Sequence, residues 1–599
     1  MGHAYKLATR HFVRILNSRR PILSLPIYAR RILHLYRNVT YCGPNCKVKK
    51  EEKFHQRTLA NYQGGIFVQV KSHEFQTTAY LFEAPWHFAF AITGALMLLA
   101  TLFYPFGYDQ AVFSVGGEMI IKHLAIPYRD FVDTKPPVIF YLYATALWLF
   151  GHHEWSIRIF DLLFQLLSSF YFYRILRRAI DGKFALATVS IVAMIYAGSG
   201  FWHTAQAESF AYLPSLLLLD MALLVQLKPS RAFWWGSIAG GAAIILFLLK
   251  FTLVLGAAAT AVFLLFERDR KIGEALRFIA GMVASFLALA VVIGFALQRA
   301  GALAPFFEAM RWTVQYASIT SVTTGASLVQ QVLLLFPERF MYCTSPTVLL
   351  LGVWGIWNWI IGGRAGEAHP ILKLLAVTLL FQLTGIVLER KIVFDYQYAR
   401  ALWAFVPFAI LGGLELARQI KGRGPHKWIV GVLVLVAIAA SPMVRMYTQS
   451  LAWAKVASTH QDAGLEVHKR IGDYFADEQR AVGEYLQLHM FDTERLFFWG
   501  NDVGVYWYAR KLPPTICLTA TPLRTAFTPR EWRGRMMRQL IEANPKYVVV
   551  EFGDAKEYIT GSKADSYQSL QQWSALATYV EAGYARDTVI GHYLMYRRR

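Results

Sequence analysis

Residues 232–266 read AFWWGSIAGGAAIILFLLKFTLVLGAAATAVFLLF, apolar throughout apart from Lys250. As a single helix this run would extend about 52 Å, well beyond the roughly 30 Å hydrocarbon core of a bilayer. It therefore reads as two membrane helices joined in a hairpin with Lys250 at the apex. Both free ends of the hairpin are basic, with Lys228 and Arg231 before it and Arg268, Arg270 and Lys271 after it. Cationic loops remain on the cytoplasmic side of a membrane, so the apex and its lysine are expected to face the opposite, outer side.

Working outward, the same two criteria, apolar length and Lys/Arg bias, organise the whole chain. It has 599 residues, 55% hydrophobic and 17% charged, with a mean hydropathy of +0.34. Soluble chains carry about 25% charge, whereas a charge at the bilayer centre costs on the order of 2.5–3.5 kcal/mol. Residues 1–85 hold fourteen Lys/Arg against four Asp/Glu and are expected to form a basic cytoplasmic extension. Apolar runs follow near 86–105, 156–174, 183–199, 209–227, 274–298, 345–362, 370–388, 401–417 and 427–443. With the hairpin they make about eleven crossings, so the C-terminus is expected outside. Val138–Phe150 is short for a crossing. If it did cross, the basic cluster Arg174, Arg177, Arg178 would fall outside, so it is expected to lie flat on the outer leaflet.

The first long apolar run starts only near Phe88, which reads as a retained helix and not a cleaved signal. The net charge of +22 is that of loops beside anionic lipid and does not call for nucleic acid. Cys42, Cys46, Cys343 and Cys517 supply neither a disulfide framework nor a zinc ligand set and read as bystanders. Residues 446–599 change character. Arg495-Leu-Phe-Phe-Trp-Gly, Pro514-Thr-Ile-Cys-Leu and Lys546-Tyr-Val-Val-Val-Glu-Phe read as strands, with a helix near 529–544 and a closing hairpin near 586–598, a small α/β domain.

Polar side chains at bilayer depth are functional candidates by default, and the outer side collects them. The first outer loop, about 106–155, carries Asp109, Glu118, Asp130, Asp133, Arg129 and Lys135, with Arg158 at the start of the next helix. His203 and Glu208 stand in the next outer loop, and Glu389, Arg390, Lys391, Asp395, Tyr396, Tyr398 and Arg400 in a later one. A carboxylate beside an array of cations suits a base for an incoming hydroxyl and counter-charges for a phosphate leaving group. Each residue alone has a plainer reading: Asp109 as a solvated loop acid, Lys250 as a snorkelling lysine, Asp130 as the partner of Arg129 or Lys135.

The order Gly107-Tyr-Asp109-Gln110, Ile126-Pro-Tyr-Arg-Asp130-Phe, Lys135-Pro136-Pro137, Phe150-Gly151 and Arg158 resembles the first outer loop of GT-C glycosyltransferases. The resemblance is to the bacterial dolichyl-phosphate-mannose–protein mannosyltransferase-like group, relatives of protein O-mannosyltransferases and of the lipid A aminoarabinose transferase. It covers most of residues 86–445, and the tail 446–599 is similar to the outer α/β domain common in the group. The fold it implies is a polytopic α-helical membrane protein of GT-C type with a C-terminal periplasmic α/β domain, in the bacterial cytoplasmic (inner) membrane, N-terminus cytoplasmic.

The activity the resemblance implies is inverting transfer of a sugar from a polyprenyl-phosphate donor to an acceptor hydroxyl of a glycolipid, surface glycan or protein. The family's Asp-Glu pair falls on Asp109-Gln110, which keeps the aspartate expected as base and loses the second acid; Glu118 and Glu208 are the candidates to replace it. Lys250 before Phe251-Thr252 resembles the lysine that faces the lipid phosphate, with Arg158, Arg390, Lys391 and Arg400 as further phosphate-binding candidates. Asp130, Lys135, His203 and Tyr398 complete the loop set. No cofactor is required, since the lipid phosphate is already an activated donor, and no ligand cluster is spelled out for a divalent metal, whose involvement stays open. The alternative is a flippase or transporter of lipid-linked sugars without transfer chemistry. Against it, the charge lies at outer helix ends, and no internal repeat is evident.

Overall fold

The computed structural model describes residues 85–104, 106–267, 271–323, 327–361, 369–390, 392, 394–420 and 475–599. The basic extension, the run at 427–443 and residues 444–474 lie outside the described residues. Residues Ala84–Arg599 form one compact unit.

The helical part comprises α1 (Pro85–Ala100), α2 (Tyr108–His123), α3 (Val138–Phe150), α4 (Glu154–Leu176), α5 (Gly182–Gly198), α6 (Ala207–Leu227), α7 (Ala232–Leu249), α8 (Leu255–Phe266) and α9 (Ile272–Arg299). It continues with α10 (Leu303–Thr323), α11 (Phe336–Thr344), α12 (Pro346–Ile361), α13 (Pro370–Leu388) and α14 (Ala399–Ile420). Among the described residues six helices are long and apolar enough to cross a membrane, and two bent pairs raise that to eight; α3, α5 and the Phe251–Phe266 segment are apolar but shorter. The chain is a multi-pass membrane protein.

Apolar sequence alone does not hold such helices together, because lipid tails are as apolar as leucine; close backbone approach and buried polar pairs do. Helices α7 and α9 meet backbone to backbone. A Cβ on Gly236 would come within 2.0 Å of the Phe278 carbonyl oxygen, and one on Gly281 within 2.1 Å of that of Phe233. The buried Asp161 on α4 accepts from Tyr196 on α5 at 2.5 Å, and Asp220 on α6 accepts from Tyr171 at 2.6 Å and pairs with Arg178. The far face of α9 keeps Leu287, Val291 and Phe295 exposed, as a lipid-facing stripe requires.

The break expected within residues 232–266 is present, at its single charge. Helix α7 ends at Leu249, Lys250 is extended (φ −168°), and a 3-10 turn over Phe251–Val254 leads into α8. Three helices of this part were not foreseen. Helix α2 lies inside what reads as an outer loop, and α10 and α11 occupy the stretch between α9 and the run at 345–362.

The tail folds as α15 (Ala476–His489), β1 (Leu496–Trp499), α16 (Arg530–Ala543), β2 (Tyr547–Glu551), α17 (Ser566–Gln572), α18 (Ser574–Gly583), β3 (Tyr584–Ile590) and β4 (Tyr593–Arg598). The sheet order is β1-β2-β4-β3, with β1 parallel to β2 and the other pairs antiparallel. Pro514–Leu518 is not a strand of this sheet. It makes one isolated bridge, Val132 to Cys517, in which the Val132 N–H donates to the Ile516 carbonyl at 2.7 Å. That bridge clamps the first loop to the tail. Other contacts reinforce that clamp: Trp507 stacks on His152 with ring centroids 3.7 Å apart, Arg480 pairs with Glu154 at 3.0 Å, and Trp532 Nε1 donates to Glu308 at 2.8 Å.

Candidate active site

The site is organised by the first turn of α2. The Gln110 side chain accepts the Gly107 N–H at 3.1 Å, and its Nε2 donates to the carbonyls of Phe201 at 3.0 Å and Thr204 at 2.7 Å. Arg158, fully buried on α4, donates to Thr204 Oγ1 at 2.8 Å and to the Tyr104 carbonyl at 3.3 Å. The start of α2, the start of α4 and the loop before α6 are thereby fixed together. Asp109, in the first turn of α2, points a half-buried carboxylate from the positive end of the helix dipole.

Residues of other segments within charge-interaction range of Asp109 include Asp133, Lys135, Tyr143 and Tyr396. Asp133 Oδ1 accepts the Lys135 backbone N–H at 2.9 Å. Burial pushes the Asp133 carboxyl up to about 6, a rise to which the negative charge of Asp109 adds and which that backbone bond opposes. Burial also works against the Lys135 ammonium, but Tyr396, Asp109, Glu208 and Asp133 outweigh it and hold the lysine firmly protonated. Two ammonium groups lie over the Tyr396 ring, Lys135 Nζ at 5.1 Å from its centroid and Lys250 Nζ at 5.5 Å.

Behind Tyr396 four charges interlock. Lys250 Nζ pairs with Glu208 Oε1 and lies 2.5 Å from Glu389 Oε2; Arg400 Nη2 lies 2.5 Å from Glu389 Oε1 and 3.4 Å from Glu208 Oε1. Thr252 joins them, accepting from Arg400 Nη1 at 2.7 Å and donating to Glu389. Glu208 and Arg400 are almost wholly buried, whereas the Lys250 and Glu389 side chains keep 14% and 10% of their surface exposed. Such a quartet survives burial only because each charge has two opposite neighbours.

The remaining sequence candidates fall elsewhere. Arg158 donates to Tyr104, Thr204 and Phe201 of the loop scaffold. Glu118 pairs with Lys122 at 2.6 Å and with His152 at 2.8 Å, under the ring of Trp507. Asp130 is held by Arg129 at 2.7 Å and by the Ile126 N–H at 2.7 Å, closing its own turn. Tyr398 donates to the Ile392 carbonyl at 2.9 Å and packs against Phe336 and Phe340. Arg390 is exposed, with a left-handed backbone (φ 54°), and Lys391 lies outside the described residues. His203, on the rim, is 3.9 Å from Asp395; burial lowers its imidazole to about 4, so it is neutral at physiological pH.

Asp133, Glu389, Tyr396 and Thr252 belong to the assembled site although the loop inventory gave the first three no role and omitted the last. No spacing rule could have joined residues 133, 252, 389 and 396. The available signal was a carboxylate count, since Lys250 and Arg400 buried at helix ends demand partners. Among the described residues no group of three or more His, Cys, Asp or Glu is placed to hold a metal ion.

Residues 134–295 match the profile of the family described as dolichyl-phosphate-mannose-protein mannosyltransferase, a segment that contains Lys135, Glu208 and Lys250. No curated protein sequence matches. Among solved structures, ArnT from Cupriavidus metallidurans is similar at 13% identity over 85% of this chain and 97% of that chain. Its TM-score is 0.52 in the apo state and 0.50 bound to undecaprenyl phosphate. Oligosaccharyltransferase AglB from Archaeoglobus fulgidus, in complex with an inhibitory peptide and a dolichol-phosphate, is similar at 12% identity over 86% of this chain and 74% of that chain, TM-score 0.42. The chain therefore has the fold of ArnT, and its residues 134–295 match the dolichyl-phosphate-mannose-protein mannosyltransferase profile.

Proposed function

We propose that this protein transfers a sugar from a polyprenyl-phosphate carrier to an acceptor hydroxyl, with inversion, on the periplasmic face of the inner membrane. One observation carries the reading. Among the described residues the Asp109 carboxylate makes no hydrogen bond or ion pair, and it lies in charge range of Lys135 and of Tyr396, whose ring carries Lys250 of the ion quartet. A free carboxylate facing a set of buried cations is the arrangement that a base and a phosphate leaving group need. The family match over Lys135, Glu208 and Lys250 and the shared fold with a structure bound to undecaprenyl phosphate support the same reading.

In this mechanism Asp109 accepts the proton of the acceptor hydroxyl. The oxygen forms a bond to the anomeric carbon as the bond from that carbon to the phosphate oxygen breaks, and the electron pair leaves with the polyprenyl phosphate. Lys250, Arg400 and Lys135 stabilise the charge that grows there, in a site where partial burial strengthens each interaction. A positioned base contributes about 10²–10⁴-fold. Membranes containing the wild-type chain or Asp109→Asn, matched for expression and supplied with a radiolabelled polyprenyl-phosphate sugar, test the reading. Release or transfer of label is expected with wild type alone; equal behaviour of the two across several donor sugars would remove Asp109 from the reacting centre.

A further inference from the structure

The enclosure holds three cations, Lys135, Lys250 and Arg400, against four carboxylates, Asp109, Asp133, Glu208 and Glu389. An arriving phosphate brings further negative charge into space where carboxylates already outnumber cations. It can reach Lys250 and Arg400 only if a carboxylate gives way, because like charges at such separations repel strongly in a partly buried site.

Glu389 is the carboxylate placed to move. Its two oxygens bridge the two cations, Oε1 on Arg400 and Oε2 on Lys250, each at 2.5 Å, the way two oxygens of one phosphate would. It follows the C-terminal end of α13 and precedes Arg390, whose backbone is left-handed, so it lies at a turn and not within a helix. Its side chain keeps 10% of its surface exposed. Glu208, by contrast, has none exposed and stands in the first turn of α6.

We propose that Glu389 is an exchangeable counter-ion: it occupies the phosphate position in the empty site, is displaced by the donor, and returns to expel the polyprenyl phosphate product. This rests on the proposed role of Lys250 and Arg400 as phosphate ligands. Glu389 acts through those two cations and is a positioning residue, one that trades donor affinity for product release.

The test is binding of undecaprenyl phosphate, with undecaprenol as the uncharged control, to the full chain in nanodiscs, for wild type, Glu389→Gln and Glu389→Asp. Wild type is expected to prefer the phosphate; no preference would overturn the phosphate-site reading itself. Given that preference, Glu389→Gln is expected to bind undecaprenyl phosphate roughly tenfold tighter with undecaprenol unchanged, and to lower both kcat and the KM for donor. A purely structural glutamate would weaken binding when neutralised, so equal or weaker binding by a variant that melts like wild type overturns the inference. If Glu389→Gln does not fold, Glu389→Asp decides: one methylene shorter, it cannot bridge both cations and is expected to tighten binding in the same direction, and failure to do so overturns the inference equally.

Discussion

Gln110 Nε2 donates to the Thr204 carbonyl across 2.7 Å, pinning the turn that carries Asp109 to the loop that leads to Glu208. The amide also reaches the Phe201 carbonyl, and its oxygen accepts the Gly107 N–H. This is the position at which the first-loop resemblance implies an acid. A carboxylate cannot donate, so glutamate here would face two carbonyl oxygens without a proton to share. Gln110→Glu is expected to lower stability by about 1–3 kcal/mol, the cost of leaving buried groups unsatisfied, and to reduce transfer. A thermal melt of the purified variant with a transfer assay checks this; a gain in activity would mean that the second acid belongs at 110 after all.

Arg400 presents the opposite case, a buried charge whose loss strands its partners. Arg400→Met leaves Glu208 and Glu389 with Lys250 alone and is expected to cost roughly 3–5 kcal/mol, as removal of one member of a buried pair does. Arg400→Met combined with Glu389→Gln should be less destabilised than the sum of the two single changes, because the pair is lost only once. Chemical or thermal denaturation of the four proteins measures the coupling. Additive losses would show that Arg400 and Glu389 stabilise the fold independently.

Asp133 is expected to make stability pH-dependent. Its carboxyl titrates at about 6 in the folded protein, against about 4 in an unfolded chain. A raised acid contributes stability that is fully present below pH 4 and is lost as the pH rises through 6. Asp133→Asn removes that loss. The variant should be more stable than wild type at pH 8 by about 1–2 kcal/mol once partial exposure is allowed for, and the gap should close toward pH 4. A stability gap that does not change with pH would exclude this titration as its source.

How much of this was legible in the sequence depends on the range over which each feature is fixed. The division of 232–266 into two helices and the break at Lys250 are local: a lone charge in so long an apolar run is too costly to bury without a reason, and the helix ends there. The closing hairpin and the strands β1 and β2 follow from alternation and apolar runs in the same way. Pro514–Leu518 has comparable local propensity, but its backbone pairs with Val132 instead of the sheet, a choice that only tertiary contact decides. Helix α2 was obscured because glycines and polar residues interrupt its apolar pattern, although Gln110 caps it and Lys122 and His123 close its last turn. The pairing of Glu208 and Glu389 with Lys250 and Arg400 spans nearly two hundred residues, and no periodicity connects them.

Glu118 shows why a charge on the correct side of a membrane is not yet a catalytic group. It is 4% exposed, and its oxygen is taken by Lys122 and by His152, whose ring stacks on Trp507 of the tail domain. That chain of contacts gives Glu118 a docking task, holding the first loop against the C-terminal domain. Glu118→Gln keeps a hydrogen-bonding group of the same size beside His152 and is expected to retain transfer within about twofold, while weakening stability by about 1–3 kcal/mol through loss of its charged partners. Trp507→Ala should act on the same contact from the other side and cost about 3–5 kcal/mol, as loss of a buried tryptophan does. Parallel melts and transfer assays separate the two roles. A fall in transfer of a hundredfold or more in Glu118→Gln, with stability unchanged, would return Glu118 to the reacting centre as the second acid and leave the docking account without support.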